Sequence, residues 1–249
     1  MYSDQDLERI IDDSVEKGNI VSLKTYYLSE YGERVLNQTA RSILRRFGRL
    51  DLHDIVYSSA KELVLNATKA NLKRVIFSDH QLDPSRAEDY DRGLDLFKDS
   101  LREGIIKGHK QKFKERNLLV TATFYYSPDV LNIKVKNNFP LYPEEERRIR
   151  EKFRQALSFA SLLDFYLEHG DESEGAGLGL TMVGILLDQS GIDKHSFTLY
   201  SNNKYNETAA RLEIPLSEQY LPRRRQFEEE LARSQVPPEE LRAVFKPVM

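Results

Sequence analysis

The chain has 249 residues, 40% of them hydrophobic and 31% charged, with a formal net charge of −3. This balance fits a globular protein with a real core and exerts no strong pull toward nucleic acid or an anionic membrane. The absence of cysteine excludes disulfides and thiolate zinc sites, and the scattered histidines show no metal-ligand pair at helical spacing. No basic-then-apolar leader opens the chain and no apolar run approaches the ~18 residues of a membrane span, so a cytoplasmic protein is expected.

Residues 4–17 read as a charged amphipathic helix, with Leu7, Ile10, Ile11 and Val15 on one stripe and Gly18 as its stop. Residues 20–27 read as a strand, and 32–47 as a helix closed by Gly48. Asp51 is expected to N-cap a long helix reaching about Asn71, with Asp54 in its first turn. Residues 74–78 read as a short strand, and 84–114 as a mostly helical, highly charged stretch broken around Gly104 and Gly108. Residues 118–127 and 130–137 alternate apolar and polar and pair as a hairpin across Ser127-Pro128-Asp129. A charged helix is predicted over 143–167, with proline near its start, and another over 178–189. A last hairpin joins 195–202 to 208–215, and a charged, proline-bearing helical tail follows from about Glu218.

Two motifs carry chemistry. In "SEGAGLGLTMVGILL", Gly175, Gly177 and Gly179 alternate where a loop becomes an apolar helix. Glycine lets a ligand approach the main chain, and a helix N-terminus offers free N–H groups, so the pair makes a phosphate cradle; a plain glycine turn is the alternative. In "ELVLNATKAN", Glu62, Asn66 and Lys69 fall within about 60° on one helical face. Val56, Ala60, Leu63, Val64 and Ala67 gather on another, suited to packing on a sheet. A carboxylate, an amide oxygen and an ammonium are the groups a magnesium–triphosphate needs. A solvated polar face is the alternative.

In this order the two motifs resemble those of the GHKL superfamily: gyrase-type ATPases, MutL, bacterial sensor histidine kinases and anti-sigma-factor serine kinases. "ELVLNATKAN" resembles the asparagine box and "EGAGLGLTMV" the second glycine box, over roughly residues 20–216. The resemblance implies an α+β fold, a two-layer α/β sandwich of the Bergerat (histidine-kinase-like ATPase) type, with a mixed sheet and helices on one face. It implies ATP and magnesium as cofactors. Asn66 would coordinate magnesium, Lys69 would approach phosphate, and Glu62 would act as the catalytic group that orients a water or accepts a proton. Gly175, Gly177, Gly179 and the following Leu180 would hold the phosphates at a lid hinge. Asn137 stands where the family's Asp-x-Gly-x-Gly box has the aspartate that receives the adenine amine, and its carbonyl can still accept that bond. Phe139 and Leu141 replace the glycines and should stiffen the start of the lid or narrow the pocket.

The resulting organisation is an N-terminal helix (1–19), an ATP-binding domain (20–216) with a helical insertion (79–116) and an ATP lid (143–174), and a charged helical tail (217–249). The layout before the asparagine box is closest to the anti-sigma-factor serine kinases. His53, at the start of the box helix, is misplaced for a sensor kinase's phosphoacceptor. The implied function is ATP-dependent signalling with phosphate transfer to a protein partner, such as a response regulator or an anti-sigma antagonist; a homodimer is allowed. A non-catalytic nucleotide-responsive interaction module and a slow GHKL ATPase remain open alternatives.

Overall fold

Three alternating strands bury Val120, Ala122 and Phe124, then Ile133 and Val135, then Leu212 and Ile214, all on one side of a sheet. A computed structural model describes residues 2–101, 103–156, 178–234 and 236–245 of the chain. The strands are β1 (Val21–Thr25), β2 (Val120–Tyr126), β3 (Val130–Asn137), β4 (Phe197–Asn202) and β5 (Glu207–Pro215), ordered β1-β2-β3-β5-β4. The fold is α+β, as expected. The expectation of a mixed sheet is corrected: among the described residues every strand pairing is antiparallel. Two hairpins, β2–β3 and β4–β5, supply most of the sheet, and the second docks with β5 running opposite to β3.

The helices are α1 (Asp4–Glu16), α2 (Glu30–Arg46), α3 (His53–Asp79), α4 (Ala87–Asp99), α5 (Glu103–Gly108) and α6 (Lys110–Glu115), followed by α7 (Pro143–Ala156), α8 (Leu178–Gln189), α9 (Arg223–Arg233) and α10 (Pro238–Val244). Leu7, Ile11 and Val15 of α1 join a core with α2, the first half of α3 and the sheet, whereas Ile10 of the predicted stripe is exposed. Ser3 and Ser29 cap α1 and α2 by accepting backbone N–H bonds, and Gly18 and Gly48 end them with positive φ. The opposite sheet face is polar at Ser22, Lys24, Thr123, Lys134 and Tyr200.

Two expectations fail around α3. Asp51 does not cap it: the helix is entered through a 3-10 turn (Leu50–Leu52), and Asp51 accepts instead from the Arg49 guanidinium. Residues 74–78 are not a strand but the last turns of α3. There Leu72, Val75 and Ile76 pack on Phe97 and Phe113 of the inserted helices, and Phe77 packs on Leu82, Tyr90 and Leu94. A helix buried on two sides reads as a continuous apolar run, which mimics a strand. In the insertion, α5 spans Gly104 and ends at Gly108. The predicted helix over 143–167 is seen to Ala156, and its remainder lies outside the described residues.

Candidate functional site

Residues from α3, α4, α7 and three strands converge on one cleft. Helix α3 contributes Leu63, Asn66, Ala67, Lys69, Ala70 and Lys73, which recur at the three- and four-residue spacings of one broad helical face. β3 ends in the cleft with Asn137, and β5 opposes it with Thr208. Leu141, Glu145, Arg148 and Ile149 close it from the β3–α7 side, and Tyr90, Leu94, Phe97 and Lys98 of α4 form the far wall.

Of the residues the sequence singles out, Asn66, Lys69 and Asn137 therefore meet in one place. Glu62 is not part of the cleft lining, but its Oε1 accepts from Asn66 Nδ2 at 3.1 Å. That bond occupies the Asn66 amino group and leaves its carbonyl oxygen as the free acceptor. Lys69 makes no ion pair among the described residues and is the cleft's available cation. Gly179 and Leu180 lie in the first turn of α8, which packs on both α3 and α7. Gly175 and Gly177, with most of the predicted lid, lie outside the described residues. His53 stacks on Tyr57 and contacts Asp54, away from the cleft.

Asn137 is buried and its amide has a fixed orientation. Its Nδ2 donates to the Ala67 carbonyl at 3.0 Å and to Asn71 Oδ1 at 2.9 Å. Asn71 is itself oriented by two backbone carbonyls, Tyr26 at 3.2 Å and Leu118 at 2.7 Å, which both demand its Nδ2. The direction of the whole relay follows from groups that can only accept, and it leaves the Asn137 carbonyl oxygen as the acceptor offered to the cleft.

The segment from Phe139 to Leu141 is tied down. Thr208 Oγ1 donates to the Phe139 carbonyl, Arg74 to the Pro140 carbonyl, and Leu141 N–H to Ser201 Oγ. Phe139 does not fill the cleft: it is buried beneath the Arg74 guanidinium, which lies between it (4.6 Å) and Tyr142 (3.4 Å). Leu141 does form part of the cleft wall.

The strongest electrostatic feature escapes the sequence reading. Glu145 is buried and accepts from Lys73 Nζ at 3.0 Å, Arg74 Nη2 at 2.7 Å and the Tyr142 N–H at 2.9 Å. Burial alone would raise its carboxyl, but Lys73 and Arg74 outweigh it and hold the group at about 2. Lys73 was legible in principle, since it continues the Asn66–Lys69 face by one turn, but a helix ending near Asn71 hides it. Glu145 sits between two other glutamates in "PEEERR", and nothing in that pattern marks which one turns inward. Tyr90 and Arg148 are likewise unmarked.

Among the described residues, no cluster of three or more His, Cys, Asp or Glu side chains could hold a metal by itself. The donor set fits magnesium only in the mode where ligand phosphates supply most oxygens and the protein adds one, here the Asn66 carbonyl. No helix of the described residues is long and apolar enough to cross a membrane. No protein-family model matches the chain, and no solved structure gives a significant match. The chain is similar to a Treponema pallidum (strain Nichols) protein described as an uncharacterized protein, at 31% identity over 196 residues. The match covers 78% of this chain but 37% of that protein, so the chain spans little more than a third of its relative's length.

Proposed function

We propose that the chain is a cytoplasmic ATP-binding signalling protein of the GHKL type, with the Bergerat variant of the α+β fold, transferring phosphate from ATP to a protein partner. The observation that carries the reading is the convergence of Asn66, Lys69 and Asn137 on one cleft. The order of elements adds support: a box helix, a hairpin ending in the base-facing residue, a helix after the glycine box, and a final hairpin. In this reading the Asn137 carbonyl accepts the adenine amine and Ala70 and Leu199 flank the base. Lys69 meets phosphate, and Asn66 would hold magnesium, whose role is to neutralise phosphate charge. Glu62, positioned by Asn66, takes the proton of the acceptor hydroxyl.

A second reading, a nucleotide-responsive module without turnover, is favoured by Phe139 and Leu141 and by the three bonds that fasten their segment. Calorimetry with ATP and magnesium tests the shared part: saturable heat is expected, and its absence ends both readings. Turnover in Glu62→Gln separates them. A true base is expected to show a loss of ~10²–10⁴-fold with nucleotide affinity kept. Unchanged turnover removes Glu62 from the chemistry, and a wild type inactive with its partner present selects the module.

A further inference from the structure

We propose that Lys73, Arg74 and Tyr90 form an oxyanion subsite at the α4 end of the cleft, that a phosphate group of the ligand fills it, and that Glu145 is the resident carboxylate this phosphate displaces. The inference rests on the nucleotide reading only for the source of the phosphate.

Donors around Glu145 outnumber the bonds it accepts. Glu145 offers two oxygens: Oε1 takes Lys73, and Oε2 takes Arg74 Nη2 and the Tyr142 N–H. Two further donors beside it stay unsatisfied among the described residues, Arg74 Nη1 and the Tyr90 hydroxyl, both cut off from solvent. Tyr90 is only 2% exposed. Burial, then the charge of Glu145, pushes its hydroxyl well above the ordinary phenol range, so it persists as a donor. A buried donor without a partner is costly, and Glu145, where it sits, satisfies neither of these two. A phosphate carries more oxygens, tetrahedrally arranged, and forms strong charge-assisted bonds with lysine and arginine.

The position also fits. Lys73, Tyr90, Glu145 and Arg148 all line the cleft, and Arg74, which is outside the lining, meets it through Glu145. Lys69 and Lys73 lie one turn apart on α3, about 6 Å along its axis, so a phosphate chain passing Lys69 reaches Lys73 along a single helical face. Glu145 lies in the first turn of α7. Its exchange for phosphate would free the start of that helix from α3. Bound anion and released α7 are then one event, in which the closed form reduces apparent affinity by the fraction of open molecules.

The test titrates pyrophosphate, without metal, into the full chain by calorimetry. Glu145→Gln is expected to bind about tenfold more tightly than wild type, because the competing carboxylate charge is gone. Adding Lys73→Met should abolish the gain. A folded Glu145→Gln protein with equal or weaker pyrophosphate affinity overturns the subsite. If that variant does not fold, hydrogen exchange on wild type decides: pyrophosphate should speed exchange across 143–156, and slowed or unchanged exchange refutes displacement. ADP run in parallel separates the two readings. ADP binding without the expected pyrophosphate behaviour keeps the nucleotide site and removes the subsite. Pyrophosphate binding as expected without ADP binding does the reverse.

Discussion

On its nitrogen side the Asn137 carboxamide meets only acceptors, the Ala67 carbonyl and Asn71 Oδ1, and Asn71 in turn meets only the carbonyls of Tyr26 and Leu118. Asn71→Ala would strand two backbone carbonyls and one Asn137 N–H in the interior. We expect a loss of about 1–3 kcal/mol in urea unfolding; a neutral result would mean the relay is not a stabilising unit. Glu145 supplies a second residue-scale prediction, on pH. Its folded value of about 2 lies below the ordinary 4.5, so its stabilisation is complete above the unfolded value and fades as pH falls from about 4.5 toward 2. Glu145→Gln should cost about 3 kcal/mol near neutral pH, because two buried cations lose their partner. The gap from wild type should shrink in unfolding curves taken stepwise into acid, and a constant gap would contradict the ion-pair account.

At the scale of elements, the docking of α4 on α3 depends on Gly93. A Cβ there would lie 2.4 Å from two atoms of the Phe77 ring, which is itself packed against Tyr90 and Tyr142. Gly93→Ala is expected to push α4 outward and cost about 1–3 kcal/mol, read as a lowered melting temperature. Because Tyr90 and Leu94 flank Gly93 and line the cleft, the cleft should loosen with it, so ligand affinity should fall in the same variant. This wall explains how much of the molecule the sequence could disclose. The alternation of β2 and β3 and the stripe of α1 are visible because each has one face in water and one in the core. The second half of α3 has no such contrast, since the insertion buries the side that periodicity needs to see polar. Spacing places Asn66 and Lys69 on one helical face, and only the resemblance singles them out. Tyr90, Arg148 and Glu145 reach the cleft only through the packing of α4 on α3 and the ion pairs that tie α7 to it, and no local pattern records that.

Across the whole molecule, the tail is fastened to the polar side of the sheet by one buried carboxylate. Glu213 is 1% exposed, pairs with Arg211 and accepts from Tyr220 Oη at 2.6 Å and the Arg223 N–H at 3.0 Å. Arg225 adds a pair to Asp193, before β4, at 2.5 Å. Tyr220→Phe removes a donor to a buried charge, and about 1–3 kcal/mol should be lost. Hydrogen exchange should then quicken across α9 while α3 stays protected. Uniform quickening would show that tail and sheet unfold as one unit.

The amide relay also restricts how this site can change over generations. Replacing Asn137 by the aspartate of the family it resembles would turn a carboxylate oxygen against the Ala67 carbonyl and Asn71 Oδ1, with no hydrogen between them. Asn71 cannot rotate to help, because the carbonyls of Tyr26 and Leu118 hold its amino group. A donor must therefore arise at position 71 before, or together with, a carboxylate at 137. The two positions form a valley in sequence space that single exchanges cross only through a weakened intermediate.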